Sequence, residues 1–564
     1  MNTLLQELTL KIADQLQNQS LTSCLRWANK RRIMTGDFPG PYSAKYHPWV
    51  RGMHNSKAST TYVMKSAQAG ATEAGINLAL YTIDQLHKDV LYVLPTTRNA
   101  SDFSKARFNA ALNESPYLQT IFTDTNSIEI KMAGSNTLYI RGSRGDSNLK
   151  SVPVSVLILD EVDEMSQRAI NLALERLSGH LQKTVWGIST PTVPNYGIHK
   201  LYMTSTQEHF IFKCPCCSRQ TELIWPDCVE IIGEGVHDTR CAESFLKCKE
   251  CGGKLEHLDK PNLFKSATWN VTNSNSNPDI RGFNVNQLYS YTVTPGELVV
   301  AHFKGFGDEA ANIEFHNSKL GKPFIGDGAK LTDVDIDACL GTHSKEDDRP
   351  QVGCGRLITM GVDQGLWNYV EITEWHFDQM TIDLNVGAKA KVLFQTKYHE
   401  EDWTQLDMMM REWQIQHCVV DADPQVMEAR RFARRFPGYV TLCRFRRGVT
   451  AKEISIADDG DHARIATVDR SNWFSVALGR FRKPRRISLP RDVSLEYREH
   501  LKAPVRTYTR AGTTEDPRKR QGDDLVAKYI STAADHYALA RVYSEIALPL
   551  AASQVSGEDV AKFL

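Results

Sequence analysis

Two short stretches constrain the fold more than anything else in this chain: Lys65-Ser66-Ala67-Gln68-Ala69-Gly70-Ala71-Thr72, and Leu157-Ile158-Leu159-Asp160-Glu161 downstream of it. The first follows an apolar strand, Thr61-Tyr62-Val63-Met64, and precedes a helix predicted over residues 72–87. A phosphate-binding loop reads G-x-x-x-x-G-K-[ST] in that setting. On that frame Gly70 takes the last glycine position and Thr72 the hydroxyl position. Ala71 stands where lysine belongs, and Lys65 stands where the first glycine belongs. A lysine stem can reach the β- and γ-phosphates from the front of the loop, while backbone N–H groups from Ser66 to Thr72 and the helix N-terminus cradle the anion. The ligand implied is ATP, with the Thr72 hydroxyl on Mg²⁺. An ordinary strand-to-helix turn can carry the same glycine, so the loop alone does not decide.

The second stretch does. Val154-Ser155-Val156-Leu157-Ile158-Leu159 is a near-continuous apolar run, the pattern of a central parallel strand buried on both faces. Asp160 and Glu161 then fall at its C-terminal edge, where open α/β sheets bind ligands. Asp160 is expected in the Mg²⁺ shell, and Glu161 as the base that orients and deprotonates the attacking water. Such a pair can also be a plain helix N-cap; a phosphate loop upstream favours ATP hydrolysis.

Strands and helices alternate around these motifs. Strands are predicted at 89–94, 137–140, 154–159 and 185–188, with a helix at 101–112, which gives a parallel sheet with helices on both faces. Ser189-Thr190-Pro191 ends the last strand at the same sheet edge as the acids, either as a γ-phosphate sensor or as a polar turn. Arg141 and Arg144 flank a Gly-Ser turn before the acidic strand. Either could act as an arginine finger on transition-state charge, as a DNA contact or as a plain surface residue, and Arg144 is the candidate carried forward.

Residues 209–260 change character. Cys214-x2-Cys217 and Cys248-x2-Cys251 supply four thiolates, the tetrahedral set that zinc prefers, and such a closed set is structural rather than catalytic. Cys216, Cys228 and Cys241 leave open which thiols bind. The 12 cysteines sit in a chain with no signal-peptide pattern at Met1, which points to metal or free thiols in the cytosol rather than a disulfide framework. No apolar run approaches the roughly 20 residues of a membrane span. Lys+Arg and Asp+Glu balance at 67 each, so overall charge says nothing about nucleic acid.

The second half repeats the theme of acids at strand ends. Leu357-Ile358-Thr359-Met360-Gly361-Val362-Asp363 and His417-Cys418-Val419-Val420-Asp421 are apolar strands that each stop at an aspartate. Antiparallel partners are predicted at 370–375 and 380–386, helices at 403–413 and 425–436, and a strand at 439–445. Asp523 and Asp524 are expected to open a long helix that runs through residue 539. Three acids so ordered make the skeleton of a ribonuclease-H-like site, which holds two Mg²⁺ or Mn²⁺ ions about 4 Å apart for phosphodiester hydrolysis. Each acid alone is a turn or cap residue as readily, and Asp423 is a further candidate. Basic residues cluster here: Arg430, Arg431, Arg434, Arg435, Arg444, Arg446 and Arg447, then Arg480, Arg482, Lys483, Arg485 and Arg486. Beside a carboxylate nuclease they are expected to neutralise DNA phosphates.

An ATPase with a front-shifted lysine, a cysteine-knuckle insertion and a ribonuclease-H-like nuclease in one chain resembles the large terminase subunit of tailed bacteriophages, closest to the lambda-like group. The matching residues are the Lys65-to-Thr72 loop, Leu159-Asp160-Glu161-Val162-Asp163, Ser189-Thr190-Pro191, the two cysteine pairs, Arg281-Gly282-Phe283 with Leu288-Tyr289-Ser290, Gly361-Val362-Asp363 and Val420-Asp421. The resemblance implies a motor in the host cytoplasm that binds concatemeric double-stranded DNA, cuts it, docks on the portal of a procapsid and pumps the genome in. It further implies a small terminase subunit that selects the DNA, a homo-oligomeric ring when active, and no membrane. In the family the third nuclease acid lies near a histidine or a second acid. Here the candidates are Asp523 and Asp524, with Asp524 preferred. Lys150 stands where the family often has arginine, which leaves the finger open.

The predicted organisation is an N-terminal helical and irregular segment (1–55), with an amphipathic helix over its first 20 residues, a P-loop ATPase core (56–205), a zinc-knuckle insertion with connecting region (206–340), a linker (341–352), a ribonuclease-H-like endonuclease (353–546) and a C-terminal tail (547–564). Two other functions fit the same residues. One is an ATP-dependent DNA helicase or repair nuclease not tied to a capsid. The other is a DNA-binding scaffold with both sites degenerate.

Overall fold

The computed structural model describes residues 23–123, 125–150, 152–347, 356–377, 387–446, 454–458, 463–510 and 525–556. The predicted helix over residues 1–20, the strand over 380–386, Arg447, Asp523 and Asp524, and the end of the predicted tail (557–564) lie outside them. The chain forms two compact units, Met1–Phe324 and Ile325–Leu564.

In the first unit the phosphate-loop strand β1 (Thr60–Lys65) leads into helix α1 (Ala71–Tyr81). β2 (Val90–Leu94), β3 (Asn136–Gly142), β4 (Val156–Asp160) and β5 (Thr184–Ser189) follow, then α2 (Gly197–Met203), β6 (Glu208–Lys213) and β7 (Ile280–Val285). The strands run in the order β6-β7-β1-β5-β4-β2-β3, and every neighbouring pair is parallel. β2 and β4 are buried at every residue, as their unbroken apolar runs require. The C-terminal ends of β1, β4 and β5 therefore open on one edge of the sheet, with the phosphate loop between β1 and α1.

In the second unit β8 (Arg356–Asp363), β9 (Trp367–Phe377) and β10 (Ala388–His399) form an antiparallel meander. β11 (His417–Asp421), α3 (Val426–Arg435), β12 (Val440–Phe445), β13 (Arg464–Val468) and α4 (Arg470–Gly479) continue the chain. β14 (Pro504–Arg510) and β15 (Leu525–Ser531) pair as a separate ribbon before the long helix α5 (His536–Ser556). The sheet order β10-β9-β8-β11-β12-β13, parallel from β8 onward, is that expected of a ribonuclease-H-like core.

Alternation sorts β8 onto two cores. Met360 and Val362 face one hydrophobic cluster, while Gly361 and Asp363 face α5. Gly361 lets that helix come close: a Cβ there would collide with the Ala540 carbonyl oxygen and the Ser544 nitrogen. A fully buried ionic cage fastens the same helix. Arg541 pairs with Glu371 (2.7 Å) and Glu545 (2.6 Å), and Glu545 pairs with Arg480 (2.5 Å). The Arg480 and Arg541 guanidiniums lie over the Trp375 ring, at 4.8 and 5.1 Å. With every charge partnered, the cage fixes one placement of α5, because removing any member strands a buried ion.

Several sequence expectations are corrected here. The long helix starts at His536, not at Asp523 and Asp524, since Leu525–Ser531 is a strand. The predicted tail begins inside that helix: Ala547, Leu548, Leu550 and Ala551 are buried in it. The chain divides at Phe324/Ile325, upstream of the polar stretch predicted as a linker at 341–352. Leu331, Ile336 and Cys339 already belong to the second core, and the polar groups that suggested exposure are bonded to it. The Gly341 N–H donates to the Leu489 carbonyl (2.7 Å), and the His343 ring bonds the Val392 carbonyl (2.8 Å). Arg480, expected on a DNA-binding surface, is buried in the cage. Among the described residues no helix is long and apolar enough to cross a membrane.

Candidate functional site

The phosphate loop is held from the front and open at the back. The Ser66 N–H donates to the Val285 carbonyl (2.9 Å) and the Ala67 N–H to the Ser318 carbonyl (2.8 Å). The Gln287 amide donates to the Ala67 carbonyl (3.0 Å), and the buried Trp49 indole to the Ala69 carbonyl (2.7 Å). Gln68 and Gly70 adopt left-handed φ values of 58° and 73°, which turns the chain into α1. The first N–H groups of α1 then have no intrahelical acceptor, whereas those of Ser66 and Ala67, expected in the anion cradle, are taken by the Val285 and Ser318 carbonyls.

Lys65 is buried, and its ammonium joins three pieces of the site. It donates to Glu161 Oε1 (3.2 Å) and to Thr190 Oγ1 (3.3 Å), so the loop, the acidic strand and the end of β5 share one cation. Thr72 Oγ1 lies 3.5 Å from Asp160 Oδ1, and the Tyr92 hydroxyl donates to Asp160 Oδ2 (2.6 Å). Burial, with the Glu161 charge beside it, pushes Asp160 up to about 6 against the opposing pull of Lys65. A hydroxyl and a carboxylate oxygen side by side make a donor set that suits a hard divalent cation. Glu161 itself sits at φ +64°, rare for a residue of its size, and receives the Ser189 hydroxyl at 3.4 Å. Of the arginines, Arg141 is paired with Glu129 (2.6 Å), while Arg144 stands exposed past the end of β3.

Asp163, quoted in the sequence only as part of a motif, is a buried hub. Its carboxylate accepts from the Ile198 N–H (2.7 Å) and from both the N–H and the hydroxyl of Thr192 (2.8 Å each). The Thr192 carbonyl in turn accepts from the N–H of Phe324, the last residue of the unit (3.0 Å). The acidic strand, the end of β5 and the chain's exit are thus joined through one side chain. Burial holds Asp163 up at about 6.

The four cysteines converge. One ligand atom each from Cys214, Cys217, Cys248 and Cys251 lies within 4.8 Å of all the others. Backbone N–H groups point at the sulfurs, from Glu250 to Cys248 and from Gly253 to Cys251, both at 3.4 Å. Four sulfurs on two tight turns fit a tetrahedral zinc. Cys228 and Cys241 lie elsewhere, bonded to the carbonyls of Glu222 and Gly235, which removes them from the ligand set.

In the second unit, Val362 pairs with Val420, so Asp363 and Asp421 end adjacent parallel strands side by side. Burial pushes Asp363 up to about 7 and Asp421 to about 6. The His536 Nδ1 lies 2.8 Å from Asp363 Oδ2, and Asp535 is the next carboxylate to influence Asp363 after Asp421. Arg470 donates to Asp535 (3.1 Å), and Ser531 also bonds it. The structure thus brings Asp535 and His536 to Asp363, a pair absent from the sequence expectation. The signal was an Asp-His step at the start of an apolar helical run, a few residues after the Ser-Thr that closes a strand. Asp423 donates its N–H to Asp421 (3.1 Å) and pairs with Arg444 (3.3 Å).

Comparison with known families gives two adjoining matches. Residues 36–269 match the family described as phage terminase large subunit gpA, ATPase domain. Residues 280–512 match terminase large subunit gpA, endonuclease domain. No curated protein matches the chain. Among solved structures, the large terminase of bacteriophage HK97 is similar at a TM-score of 0.46 and 10% identity, over 94% of this chain and 99% of that one. The large terminase of a thermophilic bacteriophage is similar at 0.30 and 11% identity, over 90% and 99%. The ATPase domain of the Thermus phage P74-26 large terminase aligns at 0.32 and 12% identity, over 51% and 95%.

Proposed function

Because this chain belongs to the phage terminase large-subunit family, we propose that Lys65, Thr72, Asp160 and Glu161 burn ATP to package viral DNA, and that Asp363, Asp421 and Asp535 cut it. The buried Lys65 bridge to Glu161 and Thr190 carries the first half. When a nucleotide enters, Lys65 exchanges its carboxylate partner for the phosphate anion. That frees Glu161, held in its left-handed turn, to take the proton of an attacking water. Thr72 and Asp160 would hold Mg²⁺, which would supply positive charge to offset that of the nucleotide phosphates. The exposed Arg144 is the candidate finger.

In the nuclease, Asp363 and Asp421 hold the divalent ions, Mg²⁺ or Mn²⁺, and Asp535 is the third carboxylate among the described residues. Asp523 and Asp524 are set aside in its favour because Asp535 sits beside a histidine bonded to Asp363. Bound ions supply a hydroxide-generating and charge-stabilising centre for in-line phosphodiester hydrolysis. The cysteine cluster holds a structural zinc. A lambda-like placement within the family, a small-subunit partner, a portal, an active ring and the host cytoplasm complete the proposal. Magnesium-dependent ATP hydrolysis by the purified chain, lost in Lys65→Ala and Glu161→Gln, tests the motor. Plasmid cleavage with Mn²⁺, lost in Asp363→Asn while ATPase survives, tests the nuclease. ATP turnover that is indifferent to Lys65 would sink the assignment.

A further inference from the structure

Beside the nuclease carboxylates lies a sheet face that the metal chemistry does not use. Asp363 pairs with Tyr369 between β8 and β9; Tyr369 pairs with Lys397, and Trp367 with His399, between β9 and β10. Residues paired across strands, or two apart on one strand, project from the same face. Asp363, Tyr369, Lys397, Trp367 and His399 therefore share a face. Its inner part is covered: the Tyr369 ring stacks on His536 at 4.6 Å. Its outer part is bare, with Trp367 39% and the neighbouring Leu366 63% exposed. Lys397 is held between them. Its ammonium lies 5.4 Å from the Trp367 ring centre and 5.7 Å from that of Tyr369, and pairs with Glu496 at 2.7 Å.

The turn that presents Trp367 is braced and is tied to the second carboxylate. The Gln364 amide donates to the Asp421 carbonyl (2.5 Å), and Gln425 bonds both the Gln364 side chain (3.1 Å) and the Gly365 carbonyl (3.2 Å). The Glu400 N–H closes the other side on the Leu366 carbonyl (3.0 Å). The indole is thus kept at a fixed offset from Asp363 and Asp421, about 7 Å beyond Tyr369 along the strand. Solvent-facing tryptophan braced in this way, with a cation over its ring, matches the chemistry of a single nucleic-acid strand: a π-face for a base and a positive charge for the phosphate beside it.

We propose that Trp367 and Lys397 form a platform that holds the DNA strand next to the scissile phosphate, the indole stacking on a base and the ammonium taking the adjoining phosphate from Glu496. The occupant is DNA rather than protein, because the face continues directly from the cleavage carboxylates and the basic groups along it are the half-buried Lys397 and the exposed His399. The platform rests on the assignment of Asp363 and Asp421 as that cleavage centre.

The test uses the full chain and plasmid nicking in Mn²⁺. Trp367→Ala is expected to raise KM about tenfold with kcat changed less than about twofold, and Trp367→Phe to restore most of the loss. Lys397→Gln is expected to lower the slope of log affinity against log salt by about 0.7, read on a fluorescent single-stranded oligonucleotide with Ca²⁺ in place of Mn²⁺. Asp363→Asn should cut nothing. If wild type fails to nick DNA, the cleavage centre is wrong. If it nicks, and Trp367→Ala and Lys397→Gln match it in KM and salt slope, the platform is overturned. Should Trp367→Ala fail to fold, the salt slope of Lys397→Gln decides alone.

Discussion

The two proposed centres differ in the positive charge they hold. The ATP site carries its own counterion: Lys65 already neutralises Glu161 at 3.2 Å. The proposed nuclease site sets the half-buried Asp421 beside the buried Asp363, whose only basic partner among the described residues is His536. The first centre can therefore stay assembled without nucleotide, with a cation waiting to be exchanged. In the second, Arg470 pairs with Asp535 but no lysine or arginine among the described residues is paired with Asp363, and burial holds the two strand-end acids up at about 7 and about 6. One polypeptide thus keeps its fuel site primed and its cutting site dependent on what it is given.

Exchanging the disabled centre breaks or sharpens this contrast most strongly. Lys65→Ala should cut ATP turnover by on the order of a thousandfold and leave Mn²⁺-dependent nicking within about twofold, with Asp363→Asn giving the mirror image. Loss of both activities in either variant would show that the centres are not separate. Removal of zinc comes next. Cys217→Ser should abolish zinc retention, read by elemental analysis, and lower the thermal midpoint by several degrees, whereas Cys228→Ser should keep the metal. Equal zinc loss in both would overturn the ligand set.

The pH response is smaller and follows from sign. Asp160, Asp163, Asp363 and Asp421 are all held above the ordinary carboxylate range by burial. Their stabilising contribution is fully present below about pH 4 and is lost as pH rises through 6 to 7, on the order of 3 kcal/mol per carboxylate. Metal-free protein should melt lower at pH 8 than at pH 5, and Mg²⁺ should raise the midpoint more at pH 8. A Mg²⁺ effect equal at both values would count against carboxylate sites. The smallest effect is expected from Thr192→Val, which deletes one half-buried hydrogen bond to Asp163 and should cost about 1 kcal/mol of stability in denaturant unfolding.

The strands that end in Asp160, Asp363 and Asp421 were legible because each is a mostly apolar run stopped by a charge, a pattern that local chemistry enforces. The cysteine pairs were legible from spacing, but excluding Cys228 and Cys241 needed their positions in space. The carboxylate proposed as the third nuclease acid was not legible. Leu525-Val526-Ala527-Lys528-Tyr529-Ile530 suits a helix as readily as a strand, and only pairing with β14 selects the strand. That choice moves the helix start to His536 and brings Asp535 into view. Asp163 and Trp367 gain their roles from hydrogen-bond geometry and strand register, which no local pattern encodes.

Gly361 has a consequence reaching beyond its own position. It stands two residues before Asp363, beneath the helix that begins at His536. The separation between that helix and its strand is therefore governed by an absent methyl group, while the ionic cage around Trp375 prevents the helix from sliding to make room. Adding even one carbon would press the helix that carries His536 away from the strand that carries Asp363, so the gauge of the proposed cutting centre is written in a residue that contributes no side-chain atom to it.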